Sequence, residues 1–224
     1  MSLMKSQKLI QNKYPLYIYG AGGHGKVVLD AAISNKYLIK GFLDDDNNKW
    51  KSFIVDYPIL GDLSSIEGYE KGDMRIIVAI GDNRNRFKKV NDVIQKGYLF
   101  QSVVHKKAII SSYSFIGQGS MIIAGVVINI GTQVGKHVII NTGATVDHDC
   151  KINDFVHVAP GVHIGGEVQV GEGTLVGIGS VVKPGINIGS WSIIGAGAVV
   201  VEDIPAGVVA VGVPARVIRR VEER

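Results

Sequence analysis

Residues 133–170 read QVGKHVIINTGATVDHDCKINDFVHVAPGVHIGGEVQV, with an aliphatic at every sixth place: Val134, Ile140, Val146, Ile152, Val158, Ile164 and Val170. Followed outward, the register begins at Ile110 and ends at Val200. It contains sixteen consecutive Ile or Val without a slip. Four residues after each aliphatic comes a small or β-branched residue, among them Thr132, Ala144, Cys150, Val156 and Ser180. Glycine often follows the aliphatic directly, as at Gly117, Gly135, Gly165 and Gly177. A period of six is neither the 3.6 of an α-helix nor the 2 of an alternating strand. It fits a parallel β-helix, whose short strands meet at turns that glycine relieves. Stacked rungs then pair about 4.8 Å apart around an internal ladder of aliphatics.

The bulk numbers agree with a folded, water-soluble chain. Its 224 residues suffice for one large or two small domains, with 46% hydrophobic and 20% charged residues. No apolar run approaches the roughly 18–20 residues of a membrane span, and no signal peptide precedes the first strand-like segment. A second methionine, Met4, makes the first three residues read as a cloning remnant. The net charge of +4 is mild, and lysines and arginines are scattered apart from the terminal ARVIRRVEER, so a nucleic-acid partner is not expected. A single cysteine rules out an internal disulfide and fits a reducing cytoplasm. Cys150 falls on an inward small-residue position of the repeat and reads as core.

The repeat resembles that of the hexapeptide-repeat acyltransferases, over about Ile110 to Val217, closing in GVPARVIR. That resemblance implies a left-handed parallel β-helix with triangular coils of eighteen residues. It also implies a homotrimer, with acyl-CoA bound in clefts between neighbouring helices.

The first half is different. LYIYGAGGHGKVVLDAA, Leu16 to Ala32, reads as a buried strand, a glycine turn and a helix; Gly20, Gly22 and Gly25 match G-x-G-x-x-G, and GFLDDD follows about twenty residues on. IIVAIGDN, Ile76 to Asn83, is a second strand and turn, followed by a helix-like stretch. The α/β pattern ends near His105. The expected domains are therefore a small Rossmann-like unit at 1–105 and the β-helix at 106–224. About ninety residues make half of a dinucleotide fold, too little to hold both halves of NAD in the usual way. Glycines that admit close backbone approach, and a helix N-terminus that favours an anion, suit a nucleotide diphosphate instead. NAD and a purely structural turn stay open as readings of the same residues.

Taken together, YGAGGHGKVV, FLDD, AIGDN and HDCKINDFVH resemble segments of a narrower family, in the right order across nearly the whole chain. That family is the sugar acetyltransferases, including UDP-4-amino-sugar N-acetyltransferases of the bacillosamine type, GDP-perosamine N-acetyltransferases and sialic acid O-acetyltransferases.

On eighteen-residue coils, His148 is the third residue of its hexad, at a turn, and His157 lies half a coil later, on a well-separated side. One chain therefore offers this pair no shared metal. A threefold interface would bring His148 to a neighbouring copy's His157, and carbonic-anhydrase-like relatives hold zinc that way, although no metal is expected here. One coil above His148 stands Gly166, whose missing side chain should leave an opening for a ligand over the imidazole. Asp149, or Glu167 one coil above it, should fix the imidazole tautomer.

The family resemblance implies more specific roles. His148 becomes the general base and Asp149 its orienting acid. His157 should contact the thioester carbonyl of acetyl-CoA, and Gly166, Ile178 and Pro184 should line the pantetheine path. Gly22, Gly23 and His24 should touch the phosphates or sugar of a nucleotide-sugar. Asp44 and Asp45 should reach the base or ribose, and Gly81 should line the cleft. His105, His137 and His163 read as surface or structural.

The expected activity is transfer of an acetyl group from acetyl-CoA to the 4-amino group of a nucleotide-linked amino-sugar. Transfer should be direct rather than through an acyl-enzyme, since the only thiol is inward. The rivals are O-acetylation of a sialic acid or similar sugar, an oxidoreductase built on the glycine motif, and a non-catalytic trimeric module.

Overall fold

The computed structural model describes residues 14–222; Met4 and the other opening residues lie outside it. The chain divides into two units, Met1–Lys106 and Lys107–Arg224.

In the second unit, each hexad contributes a two-residue strand whose second member is the aliphatic. Every strand pairs in parallel with the one a full coil on, as Ile128 with Val146 and Val146 with Ile164. Three flat faces result. The first stacks six strands from Ile109–Ile110 to Val199–Val200, and the second stacks five from Phe115–Ile116 to Asn187–Ile188. The third rises from Met121–Ile122 to Ile193–Ile194 and ends in an antiparallel pair, Val208–Val211 with Arg216–Arg220. This is the parallel β-helix that the register implied, and the left-handed form that the family resemblance implied. From Ile122 to Val200 the fourteen repeat aliphatics are all 2% exposed or less, so the ladder is the core. Ile110 and Ile116, in the first coil, are only half-buried.

Several small positions of the repeat carry a hydroxyl, which must be satisfied in an apolar interior. The coil above does this. Thr132 Oγ1 donates to the Asp147 carbonyl at 2.6 Å and accepts from the Cys150 N–H at 3.2 Å. Thr174 makes the same pair of bonds, to the Gly189 carbonyl at 2.7 Å and from the Ser192 N–H at 3.2 Å. The buried hydroxyls thus stitch adjacent coils together, and one stitch lies directly beneath the turn that bears His148.

The first unit is a five-stranded sheet: β1 (Leu16–Tyr19), β2 (Ile39–Leu43), β3 (Phe53–Ile54), β4 (Tyr57–Gly61) and β5 (Arg75–Val78), in the order β3-β4-β2-β1-β5. β1 lies between β2 and β5, parallel to both, while β3 turns back on β4. Helix α1 (Gly23–Ser34) follows β1, and α2 (Asn83–Gln95) follows β5. A Cβ on Gly25 would sit 2.0 Å from the Gly20 carbonyl oxygen. This third glycine of the motif is therefore what lets α1 press against the strand turn. Among the described residues no helix is long and apolar enough to cross a membrane.

Candidate active site

His148 stands on the turn between strands Thr145–Val146 and Lys151–Ile152, with its side chain half exposed. Asp149 follows in the left-handed region, φ +58°. That conformation brings its carboxylate back onto its neighbour, with Oδ2 2.9 Å from His148 Nδ1. An ionised carboxylate only accepts, so Nδ1 carries the hydrogen and Nε2 is left with the lone pair. Asp149 is also the first cause of a raised His148 pKa; slight burial opposes it, and the charges of Asp147, Asp149 and Glu167 add to it. The turn is held from below as well. Asp147 Oδ1 accepts from Asn129 Nδ2 at 2.7 Å and from the His148 N–H at 2.8 Å, and these bonds keep its own pKa low.

Gly166 does lie one coil above His148, but the expected opening is filled. A Cβ at 166 would fall 2.5 Å from His148 Nε2 and 2.6 Å from Cε1. The imidazole itself occupies that space, so glycine is needed there to seat the ring. Spacing alone gives the vertical neighbour, not the rotamer that fills the gap. Asp149 is seated likewise, since a Cβ on Gly131, one coil below, would meet its Oδ1 at 2.2 Å.

His157 sits on the third face, in register with Ile139 below and Leu175 above. Asn141 Nδ2 lies 3.2 Å from its Nε2, while Asn141 Oδ1 accepts the Thr142 N–H at 2.8 Å. With the amide oriented that way, Nε2 accepts and Nδ1 bears the hydrogen. Asn141, itself buried, was missed by the sequence reading. Its signal was available, because it precedes by one coil the residue two places beyond His157.

The expected acetyl-CoA residues fall into two groups. Gly166 and the exposed Pro184 continue the His148 column at the corner after the first face. Ile178, 61% exposed, stands with Thr142 and Pro160 at the corner after the third face, the face that carries His157. One chain keeps these groups apart. Among the described residues no group of three His, Cys, Asp or Glu is placed to hold a metal ion.

In the first unit the expected nucleotide residues occupy the loops after β1, β2 and β5 and the first residues of α1. A Cβ on Gly22 or Gly23 would meet nothing within 4 Å, and one on Gly81 only His24 Cβ, at 4.0 Å. Asp44 is turned onto the glycine loop, with Oδ2 accepting the Ala21 N–H at 2.7 Å, Oδ1 the Asp46 N–H at 3.0 Å, and Lys49 bonded to both oxygens. Asp45 accepts from the Tyr19 hydroxyl and pairs with Lys89 at 2.6 Å. Both acids thus brace these loops, and Lys49, Lys89 and Tyr19, unmarked by any sequence period, are their partners.

The remaining histidines have local roles. His137 is buried against Phe155, with ring centroids 5.2 Å apart. His163 Nδ1 lies 2.9 Å from Thr145 Oγ1 on the first face, and buried His105 is 4.0 Å from Asp30. Cys150 is 1% exposed, its Sγ 3.1 Å from the Gly165 carbonyl, and burial pushes the thiol pKa up.

A β-helix whose corner carries an imidazole held by a carboxylate, joined to a glycine-loop α/β unit, defines the class: a hexapeptide-repeat acetyltransferase. Comparison with known proteins narrows it. Residues 15–93 match the PglD N-terminal domain family. The chain is 33% identical over 148 residues to GDP-perosamine N-acetyltransferase of Escherichia coli O157:H7, covering 64% of this chain and 67% of that one. It superposes on the acetyltransferase domain of PglB from Neisseria gonorrhoeae FA1090 with a TM-score of 0.85 and 35% identity, covering 92% of this chain and 100% of that one. It superposes equally on perosamine N-acetyltransferase from Caulobacter crescentus, a histidine mutant solved with CoA and GDP-perosamine, with a TM-score of 0.86 and 36% identity over 91% of this chain and 96% of that one. The chain belongs to the hexapeptide-repeat sugar acetyltransferase family.

Proposed function

We propose that this protein transfers the acetyl group of acetyl-CoA to the 4-amino group of a nucleotide-linked amino-sugar. The observation that carries the reading is the His148–Asp149 pair, with a lone-pair nitrogen at an exposed corner and a fixed tautomer. A protonated amine has no lone pair, so the reacting form is neutral. As the amine nitrogen bonds to the thioester carbonyl carbon, His148 Nε2 takes the proton that the nitrogen sheds. The C–S bond then breaks, and the imidazolium returns the proton to the departing CoA thiolate. Such a base contributes about 10²–10⁴-fold. Asp149 holds the tautomer and stabilises the imidazolium. His157, with a hydrogen on Nδ1, is suited to donate to the developing oxyanion. The relatives solved with CoA and GDP-perosamine, or with acetyl coenzyme A, support both substrates.

On this reading residues 1–105 hold the nucleotide-sugar through Gly22, Gly23, His24 and Gly81, with Asp44 and Asp45 at the base or ribose. Residues 106–224 hold acetyl-CoA along Gly166, Ile178 and Pro184. The reading takes the protein as a homotrimer, in which a second copy would bring the corner of His148, Gly166 and Pro184 beside the His157 face and Ile178. The single buried thiol and the CoA substrate suit a cytoplasmic enzyme.

The test is CoA-thiol release from acetyl-CoA with UDP- and GDP-linked 4-amino-sugars and with free sialic acid. Release with an amino-sugar is the expected result. Release with sialic acid alone would replace N- by O-acetylation, and release with none would refute the reading.

A further inference from the structure

The largest fully buried side chain in the described residues is a charged one. Arg86, on the first turn of α2, is 0% exposed, and burial lowers its pKa to about 9 against the opposing charge of Asp82. Taking a guanidinium out of water is costly unless its donors are satisfied, so the bonds it makes are informative. Nη1 donates to the Ile80 carbonyl at 2.9 Å and to the Gly81 carbonyl at 3.3 Å, and Nη2 donates to Asn83 Oδ1 at 2.9 Å. These acceptors belong to the loop after β5, the loop that lines the expected nucleotide cleft, and to the start of α2.

A trans peptide is planar, with its C=O and N–H on opposite sides. Drawing the Ile80 and Gly81 carbonyls onto Arg86 therefore turns the N–H groups of Gly81 and Asp82 the other way. Facing this loop across the cleft is the start of α1, where Gly22 and Gly23 have open space where a side chain would be and His24 Cβ lies 4.0 Å from a Cβ on Gly81. A helix start and a turn of outward amides make an anion site, and a cation fixed in a low-dielectric interior strengthens it.

We propose that Arg86 is a positioning residue for the diphosphate of the nucleotide-sugar: from beneath the loop it sets the amides of Gly81 and Asp82 and supplies a buried positive field. The inference rests on the nucleotide-sugar reading of this unit. It also assigns a purpose to the AIGDNRNR stretch that the glycine motif alone leaves unexplained.

The experiment compares the full-length protein with Arg86→Lys and Arg86→Met, using calorimetric binding of UDP and GDP, of uridine and guanosine, and of acetyl-CoA. Lysine keeps the charge but loses the planar fork, and methionine loses both. Losing charged hydrogen bonds should raise the Kd for the preferred diphosphate about tenfold in Arg86→Lys and about a hundredfold in Arg86→Met. Nucleoside and acetyl-CoA affinities should stay within about threefold, whereas a merely structural role would weaken nucleoside and diphosphate alike. If Arg86→Met does not fold, Arg86→Lys decides. A folded variant that binds the diphosphate as the parent does, or loses nucleoside and diphosphate equally, overturns the role of Arg86. A parent protein that binds neither UDP nor GDP overturns the nucleotide reading itself.

Discussion

Two corners of the prism solve the same backbone problem with different residues. At the corner after the third face the chain turns in the left-handed region five times, and each time it uses glycine: Gly125, Gly143, Gly161, Gly179 and Gly197. At the corner after the first face the equivalent positions are Gly131, Asp149, Glu167 and Gly185, with φ of +78°, +58°, +61° and +76°. Left-handed backbone costs a residue with a Cβ roughly 1–2 kcal/mol, although aspartate is among the more tolerant. The second corner bears that strain beside His148, where it brings a carboxylate onto the imidazole. The third corner shows that strain alone is no mark of chemistry. There His137, Phe155 and Trp191 are also left-handed, and His137 and Trp191 pack over Gly119 and Gly173. A titratable cluster sets the His148 corner apart.

Four substitutions test the contrast between the glycine corner and the His148 corner. The largest effect belongs to His148→Ala, expected to lower kcat by about 10²–10⁴-fold. Steady-state kinetics should show the acetyl-CoA KM nearly unchanged, and near-parental turnover would remove the base from the mechanism. Gly166→Ala comes next. Its methyl would lie 2.5 Å from His148 Nε2, so the ring must leave its seat. Misplacement on that scale lowers kcat by roughly 10²-fold, with the melting temperature as the control for folding.

Asp149→Asn removes the first cause of the raised His148 pKa. A base must be neutral to act, so activity climbs as pH rises through that pKa. In the variant this limb of the kcat profile should move to lower pH, and the plateau should fall about tenfold. The sign for stability runs with the protonated form. A raised folded pKa stabilises the native state below the unfolded value of 6.5, and this fades as pH rises through the folded value. An unmoved limb would mean that Asp149 does not tune the imidazole. The smallest effect on turnover belongs to Gly161→Ala, at φ +67° with nothing within 4 Å of the added methyl. It should cost about 1–2 kcal/mol of stability, read by denaturant unfolding, and leave kcat alone. A loss of turnover there would erase the difference between the corners.

Most of the second unit was legible because one short period repeats. The hexad register named the buried ladder, placed Cys150 inside and His148 on a turn. Gly166 shows where that legibility stopped, since the period names its neighbour in the next coil but not how the neighbour's ring lies. The first unit was read only as far as its local motif. Gly25 against the Gly20 carbonyl is a contact the motif encodes. Lys89 with Asp45, and Arg86 under Gly81, depend on helix α2 folding back beside the loops of the cleft, which no spacing announces. His157 was named, but its partner Asn141 was not, because the hexad period marks the aliphatics and says nothing of which polar residue just past a strand turns back onto the next coil.

The parallel pairing of each strand with the one a full coil on, as Ile128 with Val146, makes this half of the molecule extensible only in whole storeys. An insertion of eighteen residues adds a floor and leaves the geometry around His148 as it was. An insertion of a single residue within a strand turns its aliphatic off the axis and exposes what should be interior, and the spacing changes only beyond Val200, where Ile193 pairs with Val209 sixteen residues on. Length variation among functional homologues should therefore be quantised between Lys107 and Val200, and continuous in the loops of the first unit.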